Sequence, residues 1–242
     1  MSNTAAETSA MAHDKIVILT GAGISAESGL GTFRDEGGLW AQHRIEDVAT
    51  PEGFHRNPDL VHDFYNARRV QAAEARANAA HKALATLEQD HPGEVIIVTQ
   101  NVDGLHEQAG SKNVLHMHGR LDGALCAACD HRWEAPDRMH KADRCPKCSH
   151  QSTRPDIVWF GEIPYFMDVI WDHLDSADLF VAIGTSGEVY PAAAFVQEAQ
   201  RAGAHTIELN LAPSSRVSDF AETCFGPATE IVPRWVEQEL KR

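Results

Sequence analysis

Apolar and polar positions follow two rhythms along this chain. Uninterrupted aliphatic and β-branched runs at Lys15–Thr20, Val95–Thr99, Leu179–Gly184 and Thr206–Asn210 predict strands buried on both faces. Between them, apolar residues at helical spacing predict helices over His81–Gln89 (Leu84, Leu87), Phe166–Leu174 (Ile170) and Pro191–Arg201 (Phe195). Strands alternating with helices imply an α/β domain with a doubly wound parallel sheet. Asn57-Pro58-Asp59, followed by Leu60, Phe64 and Ala67, predicts a helix capped by Asn57 with proline in its first turn.

Cys126–Cys148 breaks this alternation: it is polar, poor in large aliphatics and reads as a small inserted module. The expected layout is a mobile tail over 1–13, a Rossmann-like domain over 14–120 and 155–242 with a helical insertion at about 40–80, and the small inserted module over 121–154.

With 242 residues, 43% of them apolar, the chain can bury one full core and a satellite module. A formal charge of −14 argues against nucleic-acid binding, which depends on cationic side chains neutralising phosphates, and favours basic protein segments as partners. No apolar run is long enough to span a membrane, and Met1–His13 lacks the basic-then-apolar layout of a signal peptide. The expectation is a soluble, cytoplasmic protein with no membrane partner.

Four of the five cysteines form Cys126-x2-Cys129 and Cys145-x2-Cys148, a spacing that points to one tetrahedral zinc ion. Four thiolates fill the coordination shell, so the site is expected to be structural. His131, His140 and His150 lie nearby as substitute ligands, and Cys224 reads as an isolated packed thiol.

Gly21-Ala22-Gly23-Ile24-Ser25-Ala26 follows a predicted strand, opens a predicted helix and matches G-x-G-x-x-A, the turn that brings backbone close to a pyrophosphate. The acid that usually closes the second strand of such a unit is missing; Asp35 and Glu36 have the distance but lie in a polar, glycine-rich stretch. Gln100, Asn101 and Asp103 follow the strand Val95–Thr99, and His118 leaves the apolar run from Val114. In an open α/β sheet such strand ends border the ligand crevice. The fingerprint alone also permits a nicotinamide oxidoreductase, and the cysteine module alone permits a non-catalytic zinc-ribbon protein.

The whole constellation resembles the sirtuin family over about residues 15–240. Gly21–Gly29, Thr32-Phe33-Arg34-Asp35, Thr99–Ala109, His118-Gly119, the paired cysteines, Arg154-Pro155, Trp159–Glu162, Gly184-Thr185-Ser186 and Asn210 stand in the order of that family. The resemblance implies an NAD-dependent protein lysine deacylase with NAD and Zn2+ as cofactors and acylated proteins as partners. It implies His118 and Asn101 as catalytic residues. Around NAD it implies Gly21, Ala22, Gly23, Ile24, Phe33, Arg34, Trp40, Gln100, Val102 and Asp103 toward the phosphates, nicotinamide and its ribose. Gly184, Thr185, Ser186, Asn210, Leu211 and Ala228 fall toward the adenosine half, with Asn210 in place of the missing acid.

By the same resemblance, the acyl-lysine oxygen attacks C1′ of the nicotinamide ribose and expels nicotinamide. His118 then takes a ribose hydroxyl proton, and water releases lysine and O-acyl-ADP-ribose. Interception of the same electrophile by another nucleophile would give mono-ADP-ribosyl transfer. Val158, Phe160, Gly161, Glu162 and Val189 fall in the segments that align an extended peptide. Phe64-Tyr65-x2-Arg68 with Ala49 resembles the desuccinylase branch, which implies removal of succinyl and malonyl groups with deacetylation retained; Arg supplies a planar cation suited to a carboxylate.

Overall fold

The computed structural model describes residues 13–31 and 42–242. Its main sheet contains β1 (Lys15–Thr20), β2 (Glu94–Thr99), β3 (Val114–His116), β7 (Leu179–Ile183), β8 (His205–Asn210) and β9 (Glu222–Phe225) in the order β3-β2-β1-β7-β8-β9. Every neighbouring pair is parallel. The order reverses direction at β1, and the helices that lead from β1 to β2 and from β7 to β8 cover opposite faces of the sheet, which marks a crevice at these strand ends.

Successive side chains of each strand enter opposite faces, which is why the strands read as continuous apolar runs. On one face Ile16, Ile18, Ile97, Val181 and Leu209 pack with Leu84 and Leu87 of α5 (Ala79–Asp90) and Val232 and Trp235 of α9 (Ala228–Glu239). On the other, Val17, Leu19, Val98, Phe180 and Ala182 meet Ile170 and Leu174 of α7 (Met167–Asp175) and Phe195 and Ala199 of α8 (Phe195–Ala202). Each fully buried aliphatic side chain contributes roughly 1.5–3 kcal/mol, so the two layers stabilise the sheet on which the site is built.

Before α5 the chain forms α1 (Gly23–Ala26), α2 (Ile45–Val48), α3 (Pro51–Arg56) and α4 (Pro58–Glu74); α6 (Leu105–Ala109) follows β2. The Asn57 side chain accepts from Leu60 N at 3.2 Å with Pro58 in the first turn, which starts α4 where the sequence places it. β4 (Gly119–Cys126), β5 (Arg132–Glu134) and β6 (Thr153–Ile157) make a separate antiparallel sheet in the order β5-β4-β6. Its strands begin before and end after the expected 121–154.

Several local expectations change. The helix opened by the glycine loop is one turn, α1, because the chain turns away at Gly29 with φ +85°. The helix expected over Pro191–Arg201 divides into a 3-10 turn at Ala192–Ala194 and α8. Cys224 is exposed rather than packed, because β9 is the edge of the sheet and its residues face solvent. Residues 1–12 of the expected tail lie outside the described residues. His13 belongs to the folded body: its Nδ1 lies 2.6 Å from the buried carboxylate of Glu239.

Candidate active site

The crevice floor is built by close approach of two glycine loops. Gly23 N donates to Gly184 O at 2.8 Å, and a Cβ on Gly23 would stand 2.7 Å from the Gly184 Cα. Gly184 itself has φ +61°, and a Cβ there would meet Ile24 N at 2.5 Å. Both positions therefore need glycine, the second also for its left-handed backbone. The Gln100 amide donates to Thr185 Oγ1 at 2.9 Å, and Asn210 Nδ2 donates to the Thr185 carbonyl at 2.8 Å. Sequence-distant Gly21, Gly184, Thr185, Gln100 and Asn210 thus meet around one crevice.

Beside α1, Ser25, Asn101 and Asp103 form a buried polar cluster. Asn101 Nδ2 donates to Gly21 O at 3.1 Å and to Ser25 Oγ at 3.2 Å, while Ser25 Oγ donates to Asp103 Oδ2 at 3.1 Å. Burial raises the Asp103 pKa; the Leu105 N–H, the Ser25 hydroxyl and the charges of His116 and Arg68 pull against it. The cluster rests on a second buried layer. His81 Nε2 lies 3.4 Å from Ser25 Oγ, Thr20 Oγ1 donates to Thr99 Oγ1 at 2.8 Å, and His106 Nε2 is 3.0 Å from Thr20 Oγ1. The sequence reading missed Ser25, His81 and His106 as site residues. Ser25 stands inside the glycine motif, which was a usable signal; the two histidines carried none.

His118 follows β3 and is half-buried, with Nδ1 3.1 Å from the Gln100 carbonyl. A carbonyl can only accept, so Nδ1 carries the hydrogen and Nε2 keeps its lone pair. Burial holds the His118 pKa below its ordinary 6.5, against the bond to Gln100, and so favours the neutral ring. The neighbouring His116 is anchored differently, with Nδ1 3.1 Å from the Asn101 carbonyl and Nε2 2.7 Å from Glu107. Burial pushes the Glu107 carboxyl up, but His116 and Arg120 bring it down to about 2.

A third cluster joins α2 and α4 to β4 and to the segment at the end of β6. Ala49, Tyr65, Val102, Ile157 and Trp159 are buried together, with Val48, Val61, Phe64 and Leu121. Tyr65 is 1% exposed, and burial pushes its phenol up to about 12 despite the nearby Arg68 charge. The Arg68 guanidinium lies 5.9 Å from the Tyr65 ring centroid and is electrostatically coupled to Asp103. Tyr65 therefore points into the protein from α4. Val158 N donates to the His118 carbonyl and Phe160 N to that of Ala49, joining this cluster to the His118 backbone.

Phe160, Gly161 and Val189 are exposed. Glu162 is committed internally: Arg154 forks onto its two carboxylate oxygens at 2.6 and 2.9 Å. Leu211 is exposed and Ala228 opens α9, held near the glycine loop by Glu27, which accepts from Thr229 N at 2.9 Å. Ala22, Gly23 and Ser186 are half-buried along the crevice. Phe33, Arg34 and Trp40, with Asp35 and Glu36, lie outside the described residues.

Away from the crevice, the Sγ atoms of Cys126, Cys129, Cys145 and Cys148 lie within 4.8 Å of one another, with pairs at 3.6 and 3.8 Å. Zn–S bonds of about 2.3 Å in a tetrahedron require sulfurs about 3.8 Å apart, so the set fits zinc. The two CxxC turns match. Asp130 N donates to Cys126 O and Ser149 N to Cys145 O, each at 2.9 Å, and both donors sit at positive φ. His131, His140 and His150 are not part of the group.

The Sir2 family model matches residues 21–191. An NAD-dependent protein deacylase of Caulobacter vibrioides is 55% identical over 232 residues, covering 94% of this chain and 98% of the relative. The NAD-dependent protein deacylase SIR2rp3 of Leishmania major is 57% identical, covering 93% and 96%. Among solved structures, a Sir2 homologue in complex with NAD superposes with a TM-score of 0.87 at 36% identity, covering 95% of this chain and 90% of that one.

Proposed function

The chain belongs to the Sir2 family, and on that premise we propose that it is an NAD-dependent protein lysine deacylase in which His118 is the general base. The observation that carries this reading is the Nδ1–Gln100 bond, which leaves a neutral Nε2 acceptor at the end of β3, beside Asn101 and Asp103. The crevice fits a dinucleotide: two loops approach as only glycine allows, and amide, hydroxyl and carboxylate groups converge on it.

NAD, when bound, supplies a glycosidic bond whose cleavage releases nicotinamide. In this reading Gly21, Ala22, Gly23, Ile24, Gly184, Thr185 and Ser186 hold the phosphates and adenosine half, with Asn210, Leu211 and the Ala228 turn; Phe33, Arg34 and Trp40 belong to the same set. Gln100, Asn101, Val102 and Asp103 orient the nicotinamide ribose. Asn101 also aligns the reacting groups, and His118 accepts a ribose hydroxyl proton at Nε2. The four cysteines hold zinc as a structural cross-link, and thiolate ligation favours a reducing, cytoplasmic setting.

The acyl chain enters between Ala49, Tyr65 and Arg68, while Val158, Phe160, Gly161, Glu162 and Val189 mark the segments that frame the peptide. A buried phenol and a guanidinium suit the terminal carboxylate of a succinyl or malonyl group, with acetyl-lysine also accepted. Incubation with NAD and acyl-lysine peptides tests both levels. Nicotinamide release matched to free lysine supports deacylation, and appearance of reduced cofactor sinks it. Arg68→Met lowers the ratio of succinyl to acetyl kcat/KM; an unchanged ratio removes the dicarboxylate reading and leaves the deacylase reading standing.

A further inference from the structure

The acyl subsite has a second layer behind Tyr65. Trp159 Nε1 donates to Tyr65 Oη at 3.0 Å, with both side chains buried. An indole N–H has no lone pair and can only donate, so the phenol oxygen is the acceptor and its own hydrogen is directed elsewhere. Trp159 is itself clamped. The Arg154 guanidinium carbon lies 3.5 Å from the indole ring centroid, and Arg154 is fixed in turn by both oxygens of Glu162 and by the Ile157 carbonyl at 2.6 Å. Glu162 Oε2 also accepts from the Trp159 backbone N at 2.8 Å, so one carboxylate secures the residue from two directions. Phe54 packs on the indole with centroids 5.2 Å apart. None of these contacts involves His118, Asn101 or Asp103.

Resting on the dicarboxylate reading above, we propose that Trp159 is a specificity-determining positioning residue: by donating to Tyr65 Oη it turns the phenolic hydrogen toward the terminal carboxylate of a succinyl or malonyl chain. An acetyl group has no such carboxylate and gains nothing from that orientation. Phenylalanine at this position would keep a ring under Arg154 but leave Tyr65 free to rotate its hydroxyl away from the ligand. Burial keeps the phenol protonated, so the donor is present throughout the neutral range.

The test measures kcat/KM on succinyl- and acetyl-lysine peptides of one sequence, at saturating NAD, for the parent, Trp159→Phe, Tyr65→Phe, the double variant and Arg68→Met. Trp159→Phe is expected to lower the succinyl-to-acetyl ratio about tenfold, mainly through the succinyl KM, the scale of one hydrogen bond to a charged group. The double variant is expected to be no more selective against succinyl than Tyr65→Phe alone, because both substitutions remove the same interaction. Equal losses on the two peptides would make Trp159 a packing residue, and independent multiplication of the two effects would place its action elsewhere; either overturns the proposal. A ratio that Arg68→Met lowers but Trp159→Phe leaves unmoved defeats this proposal alone, whereas a ratio insensitive to Arg68→Met defeats the reading beneath it.

Discussion

At the scale of single residues, three histidines of the site region are held neutral by burial for different ends. His118 bonds through Nδ1 and keeps the Nε2 lone pair, and only its neutral form can accept a proton. Its pKa lies below 6.5, so the acid limb of kcat/KM against pH should fall below the range of a free imidazole; a limb above 6.5 would contradict the assignment. His118→Ala should reduce turnover by at least about a hundredfold, the lower end of what a general base supplies, with a smaller change in NAD binding by calorimetry. His81 and His106 are fully buried, with pKa values lowered to about 4 and about 3, chiefly by desolvation. In the unfolded chain both would titrate near 6.5, so below that pH the unfolded state binds more protons and stability falls with acidification. The stability is fully present above pH 6.5 and is lost progressively toward pH 4 for His81 and pH 3 for His106. Each histidine contributes at most about 1.4 kcal/mol per pH unit within its window. Thermal melts from pH 7 to pH 5 should show the decline, and His106→Asn should flatten it.

At the scale of elements, the small antiparallel sheet illustrates how a segment too polar to build its own core is held. Its turns direct four sulfurs inward through paired backbone bonds, and β4 ties the module to the main domain where Leu121 N donates to the Val102 carbonyl at 2.8 Å. With zinc removed, four thiols of 3.6–4.8 Å spacing have no partner of comparable strength. Chelation, or Cys145→Ala, is expected to release one zinc per chain, lower the melting temperature and weaken activity through the Val158–His118 and Phe160–Ala49 connections. Retention of full activity in a metal-free protein would show that β4 and β6 hold their register unaided. The helix α4 makes the complementary case: a strong cap fixes its start, and packing on Trp159 and Val102 then buries Tyr65.

For the molecule as a whole, the crevice exists because the sheet reverses direction at β1, which brings the loops after β1 and β7 into backbone contact. Gly184→Ala combines an unfavourable left-handed backbone with a Cβ 2.5 Å from Ile24 N. It should weaken NAD binding at least about tenfold, measured by calorimetry, while far-ultraviolet circular dichroism stays close to that of the parent. Among the described residues no helix is long and apolar enough to cross a membrane, and both faces of the sheet are covered by helices.

Much of this was written into local sequence. The four central strands, the Asn57 cap, the glycine turn and the cysteine spacing each depend on chemistry between neighbours in the chain, so periodicity and motif spacing disclosed them. The length of α1, the split before α8 and the exposure of Cys224 did not follow, because each depends on where the chain is received by the rest of the fold. The same division runs through the site. His118 and the cysteines stand in readable motifs, but the His81–Ser25–Asp103 support and the Trp159–Tyr65 bond join residues 56, 78 and 94 positions apart. Sequence determined which groups are available; the parallel crossovers determined which of them share a buried environment, and burial sets their protonation and hydrogen-bond direction.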